Sequence, residues 1–218
     1  MKSKVSKMEK TNFLNELFNV EDKIALVTGG GSGIGKIITE ALAFSGSKVY
    51  ITSRKLEIIK NTSEEINSKK PKHHVEYFCS DLSSESGIEE LVNSFQKKEE
   101  HLNILVNNSG VSWGSNLGDF PYHAWDRVMK VNVTGLFHLT QSLLPVIASK
   151  ATIENPSRII NIGSVMGTAA LGDGPYSYSA SKAAVHHITR ILAKELARKK
   201  ITVNALAPGP FLSKMTEF

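Results

Sequence analysis

Short apolar runs alternate along this chain with longer segments of helical period. Ile24-Ala-Leu-Val-Thr28, Val49-Tyr-Ile-Thr52, Val75-Glu-Tyr-Phe-Cys79, Asn103-Ile-Leu-Val-Asn107, Arg158-Ile-Ile-Asn-Ile162 and Ile201-Thr-Val-Asn-Ala205 read as six strands. Helical patterns fill the gaps over about 33–44, 55–68, 85–98 and 122–149, and again after Tyr178. In that last segment Ala184, Val185, Ile188, Ile191, Leu192 and Leu196 recur at three- and four-residue steps. Near-continuous apolar strands separated by helices predict an α/β protein whose parallel sheet is covered on both faces. Pro145 is expected to end or bend its helix near the C-terminus. Residues 1–20 read as a tail with one amphipathic piece over 13–18, and 21–218 as a single domain without repeats.

Composition narrows the partners. The chain has 218 residues, 41% apolar and 22% charged, which fits one domain with a full core. Net charge is +5, and Lys2, Lys4, Lys7 and Lys10 against Glu9 supply +3 of it. The excess is a basic tail rather than a basic face, so no nucleic-acid partner is expected. No membrane is expected either, since no apolar run approaches the ~18 residues a span needs. The single cysteine, Cys79, excludes an internal disulfide and suits a reducing compartment. Its place in a strand predicts a buried, inert thiol. The N-terminus carries no hydrophobic signal region, so the expected address is cytoplasmic; its basic, arginine-free character leaves a mitochondrial presequence as the alternative.

Chemistry concentrates at the strand ends. The first strand runs directly into Thr28-Gly-Gly-Gly-Ser-Gly-Ile-Gly35 and then a helix. Glycine permits a sharp turn and close ligand approach, and a helix N-terminus offers free N–H groups to a pyrophosphate. Gly29, Ser32, Gly33, Ile34 and Gly35 are therefore the expected phosphate cradle of a dinucleotide site. Ser53-Arg54-Lys55 follows the second strand, where an NAD site usually places an acid on the ribose hydroxyls. Arg54 stands there instead, and a guanidinium can fork onto a 2′-phosphate, so NADP(H) is the expected cofactor. Asp81 could accept from an adenine amino group with Leu82 beside it, or cap the next helix.

Tyr178 and Lys182 are four residues apart, so phenol and ammonium project from one helix face. A free tyrosine is a poor base at neutral pH. An ammonium at ~4 Å, at an effective dielectric of about 20, supplies on the order of 4 kcal/mol, enough for a phenol to exchange protons near neutrality.

The ordered motifs resemble the short-chain dehydrogenases/reductases from about Lys23 onward. They are Thr28-Gly-x-x-x-Gly-x-Gly35, Asp81-Leu82, Asn107-Asn-Ser-Gly110, Asn132, Ser164, Tyr178-x-x-x-Lys182 and Pro208-Gly209. Ser109 replaces the alanine usual in the family's fourth-strand motif. The resemblance implies a doubly wound Rossmann fold with strand order 3-2-1-4-5-6. It implies an oxidoreductase that moves a hydride between a nicotinamide and a carbonyl or alcohol carbon, which with the Arg54 reading makes NADP(H) the expected cofactor. Tyr178 would pass the proton, and Lys182 would hold the nicotinamide ribose. Ser164 would polarise the substrate oxygen, and Asn132 would hold a water on the proton path. Asn108 and Gly110 would line the adenosine-ribose side; Pro208, Gly209 and Ser213 would flank the nicotinamide. A homodimer or homotetramer is expected from the same resemblance.

Three segments should form the substrate pocket: 111–115, 166–172 and the chain after Pro210. Trp113, Met166 and Leu171 suggest an apolar or amphipathic carbonyl substrate. Ser112-Trp-Gly114 and Gly209-Pro-Phe-Leu-Ser-Lys-Met215 resemble the rhamnolipid-type β-ketoacyl reductase branch, which implies a 3-oxoacyl thioester reduced to its 3-hydroxy form. Family members usually continue beyond the point where this sequence stops, with a substrate lid and a seventh strand. Their absence here leaves two alternatives: a sequence truncated relative to the natural protein, or a cofactor-binding scaffold or sensor with little turnover. The pairs His73-His74 and His186-His187 do not make a metal site, because adjacent side chains point apart and no carboxylate or cysteine cluster joins them.

Overall fold

In the computed structural model, residues 18–171 and 174–210 are described. The amphipathic piece at 13–17, Gly172, Ser213 and Met215 lie outside them. Each predicted strand forms: β1 (Ile24–Thr28), β2 (Lys48–Ser53), β3 (Glu76–Cys79), β4 (Ile104–Asn107), β5 (Ser157–Ile162) and β6 (Ile201–Leu206). All pairings are parallel, in the order 3-2-1-4-5-6. That is the doubly wound order the motifs implied.

Helices α1 (Gly33–Phe44) and α2 (Leu56–Ser68) cover one face. Their Ala43, Ile59 and Ile66 pack on Ala25, Val27, Val49, Ile51 and Val106. The other face carries α3 (Glu85–Gln96), α4 (Tyr122–Met129), α5 (Leu136–Ala148) and α6 (Tyr176–Leu196). Phe95, Leu139, Leu143, Ile147 and Leu192 meet Leu26, Tyr50, Leu105 and Ile159 there. Strand residues alternate between the two cores because successive side chains leave opposite faces. Val20 packs against the first of these cores.

Central β1 and β4 are buried throughout, while edge strand β3 alternates half-buried with exposed residues and edge strand β6 buries only Ile201 and Val203. This corrects the expectation for Cys79. It lies at the end of edge strand β3 and is exposed, with its thiol 3.7 Å from the Arg54 carbonyl. An apolar run identifies a strand, but only its neighbours decide whether both faces are covered.

The region 122–148 is long and apolar enough to cross a membrane by length and composition. Its apolar face is occupied by the sheet: Leu136, Leu139, Leu143 and Ile147 are buried. It is not one regular helix. Lys130–Gly135 winds as a π-helix between α4 and α5. Gly135 lies against the Leu82 carbonyl, where a Cβ would not fit. Pro145 sits inside α5, which runs on three residues to Ala148. The lost backbone bond is absorbed within the last turn.

Candidate active site

The carboxyl ends of the six strands converge on one edge of the sheet, which is where open α/β sheets bind ligands. β1 ends at Thr28, and its Oγ1 accepts from the N–H groups of Asn108 and Ser109, both at 2.9 Å. Asn108 returns its own Nδ2 to the carbonyls of Thr28 (2.9 Å) and Gly29 (3.2 Å). The expected adenosine-side residue Asn108 thus locks the β1 turn to the β4 turn. Thr28, which opens the glycine motif, was given no role of its own from the sequence; the structure shows it tying the two turns.

Two positions show why the turn needs glycine. Gly29 has φ +65°, a left-handed conformation that side chains rarely adopt. Gly35 stands so close to the Gly29 carbonyl and to Asn108 Nδ2 that any Cβ would overlap them. Ser32 starts α1 in extended conformation without a side-chain cap, and Ser32 and Gly33 are exposed. The start of α1 is therefore open to solvent, and the free N–H groups of a helix start are the donor set a phosphate needs. Ile34 is half-buried behind them.

Arg54 lies exposed just past β2. Asp81 is half-buried past β3, its Oδ1 accepting from the Ser83 N–H (2.9 Å) and hydroxyl (2.8 Å). The backbone bond from Ser83 lowers its carboxyl below the usual range, and Arg54 lowers it further. Asp81 is not the helix cap that one reading allowed: Ser84 caps α3, accepting from Gly87 N–H at 3.2 Å. Leu82 is 7% exposed, its side chain committed to the core.

Ser164 lies just past the end of β5, after Gly163, and is 6% exposed, with its Oγ accepting from the Met166 N–H at 3.2 Å. The short turn it starts packs on α6, with Gly167 against the Lys182 carbonyl. Lys182 Nζ donates to the Ile162 carbonyl at 2.6 Å, two residues before Ser164. The same Nζ is 5.5 Å from the centre of the half-buried Tyr178 ring. Burial moves Lys182 from the ordinary 10.5 down to about 8. Gly110 lies beside both Lys182 Nζ and Asn132 Oδ1.

Asn132, 1% exposed, sits in the π turn and bonds outward rather than to its own helix. Its Oδ1 accepts from Val111 N–H (2.8 Å), and its Nδ2 donates to the Val111 carbonyl (3.0 Å) and Ser181 Oγ (2.9 Å). Ser181 donates in turn to the Tyr178 carbonyl at 2.7 Å. Ser181 was not singled out from sequence, although a residue one before Lys182 on a buried face could have been. Pro208 joins the same edge, its carbonyl accepting from Val165 N–H at 3.1 Å; Gly209 follows it, exposed.

On the expected substrate side, half-buried Trp113 packs edge-on to His123, with the Arg127 guanidinium 5.7 Å over its ring. Ser115 N–H donates to the Gly174 carbonyl at 3.3 Å, tying the loop after β4 to the loop before α6. Met166 is half-buried and Leu171 exposed.

A glycine turn on the first βα unit of a doubly wound sheet, with a Tyr–Lys pair at the end of the fifth strand, defines a dinucleotide-dependent oxidoreductase. The chain belongs to the short chain dehydrogenase family, whose model matches residues 23–218. It is 42% identical over 203 residues to the rhamnolipids biosynthesis 3-oxoacyl-(acyl-carrier-protein) reductase of Pseudomonas aeruginosa, across 93% of this chain and 78% of that one. Among solved structures it resembles the Pseudomonas aeruginosa RhlG/NADP active-site complex with TM-score 0.87 and 43% identity, covering 91% of this chain and 77% of that one. It also resembles the 3-ketoacyl-(acyl-carrier-protein) reductase of Brucella melitensis complexed with NADH, with TM-score 0.82 and 30% identity, covering 90% and 79%.

Proposed function

We propose that this protein is an NADP(H)-dependent reductase of carbonyl compounds, with a 3-oxoacyl thioester as its substrate. The observation that carries the reading is the placing of Lys182 between two partners: its Nζ bonds the Ile162 carbonyl at the end of β5, two residues before Ser164, and lies 5.5 Å from the Tyr178 ring centre. The thioester is supported by the 42% identity to a 3-oxoacyl-(acyl-carrier-protein) reductase.

The glycine cradle fits the cofactor's pyrophosphate: Gly35 has no room for a Cβ, and the start of α1 is open to solvent. Gly29, Ser32, Gly33, Ile34 and Gly35 would hold the phosphates, with Asp81, Leu82, Asn108 and Gly110 on the adenosine side. Arg54 would meet the 2′-phosphate. Pro208, Gly209 and Ser213 would flank the nicotinamide, whose ribose hydroxyls Lys182 would hold. When bound, NADPH supplies the hydride that reduces the carbonyl carbon.

This chain's own residues handle the proton and the oxygen. Ser164 Oγ donates to the substrate oxygen and polarises it. Tyr178 gives that oxygen its proton. Lys182, lowered to about 8, still carries charge at neutral pH and stabilises the phenolate left behind. Asn132 holds the Val111 loop and, through Ser181, the first turn of α6, which keeps Tyr178 in place. The relatives that support the reading are bacterial, which favours the cytoplasm over a mitochondrion. We further propose that the protein works as a homodimer or homotetramer.

The test is NADPH consumption by the full chain with a 3-oxoacyl thioester. Steady consumption, and a 3-hydroxyacyl product, are expected. NADPH binding without consumption across a carbonyl panel would instead favour the sensor reading.

A further inference from the structure

His186 is a histidine for which the reaction above has no use. It lies on α6 one turn beyond Lys182 and two beyond Tyr178, so the three side chains share a helix face. It is 9% exposed, while its neighbour His187 is exposed. His186 Nε2 accepts from the main-chain N–H of Ser164 at 3.3 Å. The ring also fills the space beside Gly163: a Cβ there would overlap Nε2 and Cδ2. Gly163 N–H donates to the Leu206 carbonyl at 2.7 Å. The end of β5 is thus held by β6 on one side and by the imidazole on the other.

We propose that His186 is a positioning residue for Ser164: its neutral imidazole, seated against Gly163, fixes the peptide from which Ser164 Oγ projects. The inference rests on reading Ser164 as part of the catalytic set. Without an acceptor, a buried N–H is left unpaired, and the peptide turns to find another partner. Only the neutral ring can accept this bond. Its surroundings favour that form. Burial, Arg190 one turn on and Lys182 one turn back all lower the imidazole below its usual range. Gly163 and Ser164, which meet it from the end of β5, bring no ionisable side chain. Acidification through the His186 titration therefore releases Ser164, and turnover gains an acid limb that belongs to this histidine.

Two measurements on the full chain test this. Nitrogen-resolved imidazole NMR should find His186 neutral at pH 7 with Nε2 unprotonated; a proton on Nε2 overturns the proposal. That readout needs no turnover, so it stands apart from the reductase assignment. In kinetics, His186→Leu should lower kcat about tenfold with NADPH affinity unchanged. His186→Gln, whose amide oxygen can accept, should recover most of the loss and flatten the acid limb. Wild-type kcat and pH profile in His186→Leu overturn the proposal. Should that variant fail to fold, an unaltered acid limb in His186→Gln does the same. A wild-type chain that binds NADPH but reduces nothing sinks the reductase reading, and the NMR result alone then judges His186.

Discussion

Lys182 reaches from the second turn of α6 to the carbonyl of Ile162 at 2.6 Å, so the helix and the end of β5 share a buried ammonium. A charge only 5% exposed is costly, and its displacement from 10.5 to about 8 corresponds to on the order of 3 kcal/mol. Between about pH 8 and 10.5 the unfolded chain binds this proton and the folded one does not, so stability rises with pH across that window. Lys182→Met should lose that rise while keeping the fold. The difference between the two chains in denaturant midpoint from pH 7 to 10.5 is the measurement. An identical slope in both would refute the assignment of the cost to Lys182.

Tyr178→Phe removes one oxygen and leaves the ring against Lys182. The variant should bind NADPH normally and lose about 10²–10⁴-fold in kcat. Fluorescence titration and steady-state assay separate the two effects. Wild-type turnover would end the proton-transfer role.

Arg54 is exposed at the end of β2, free to meet a ligand from solvent. Arg54→Asp should lower kcat/KM for NADPH by about 10–100-fold and leave NADH use unchanged or improved. Parallel kinetics with both cofactors check this, and an unchanged preference would remove Arg54 from the site.

Gly35→Ala places a methyl group on the Gly29 carbonyl and on Asn108 Nδ2. The turn must open, at a cost of about 1–3 kcal/mol, and the phosphate cradle with it. Weakened NADPH binding together with a lower thermal midpoint is expected; a variant unchanged in both would show that the cradle tolerates the methyl.

Much of the fold was legible because its signals are local. Ile24–Thr28 and Gly33–Phe44 form over the residues their patterns marked, since an apolar run and a helical period report burial within one element. Cys79 was misread for the complementary reason. Its run looks like any other strand, but β3 is an edge, and an edge is a property of neighbours. The π turn at Lys130–Gly135 left no mark in the periodicity, because one added residue in a turn shifts the phase by less than the pattern resolves. Asp81 and Ser84 both look like helix starts, and only the geometry chose Ser84 as the cap.

Four-residue spacing alone set Tyr178 and Lys182 on one face of a helix, and the glycine run alone dictated a tight turn after the first strand. Both follow from covalent geometry within a few residues. The tertiary structure decided the rest of the site. Thr28 meets Asn108 across 80 residues, Asn132 meets Ser181 across 49, and Ser164 meets His186 across 22. Such pairs depend on strand order and on which face each helix covers, and these are settled only when the whole sheet closes its cores.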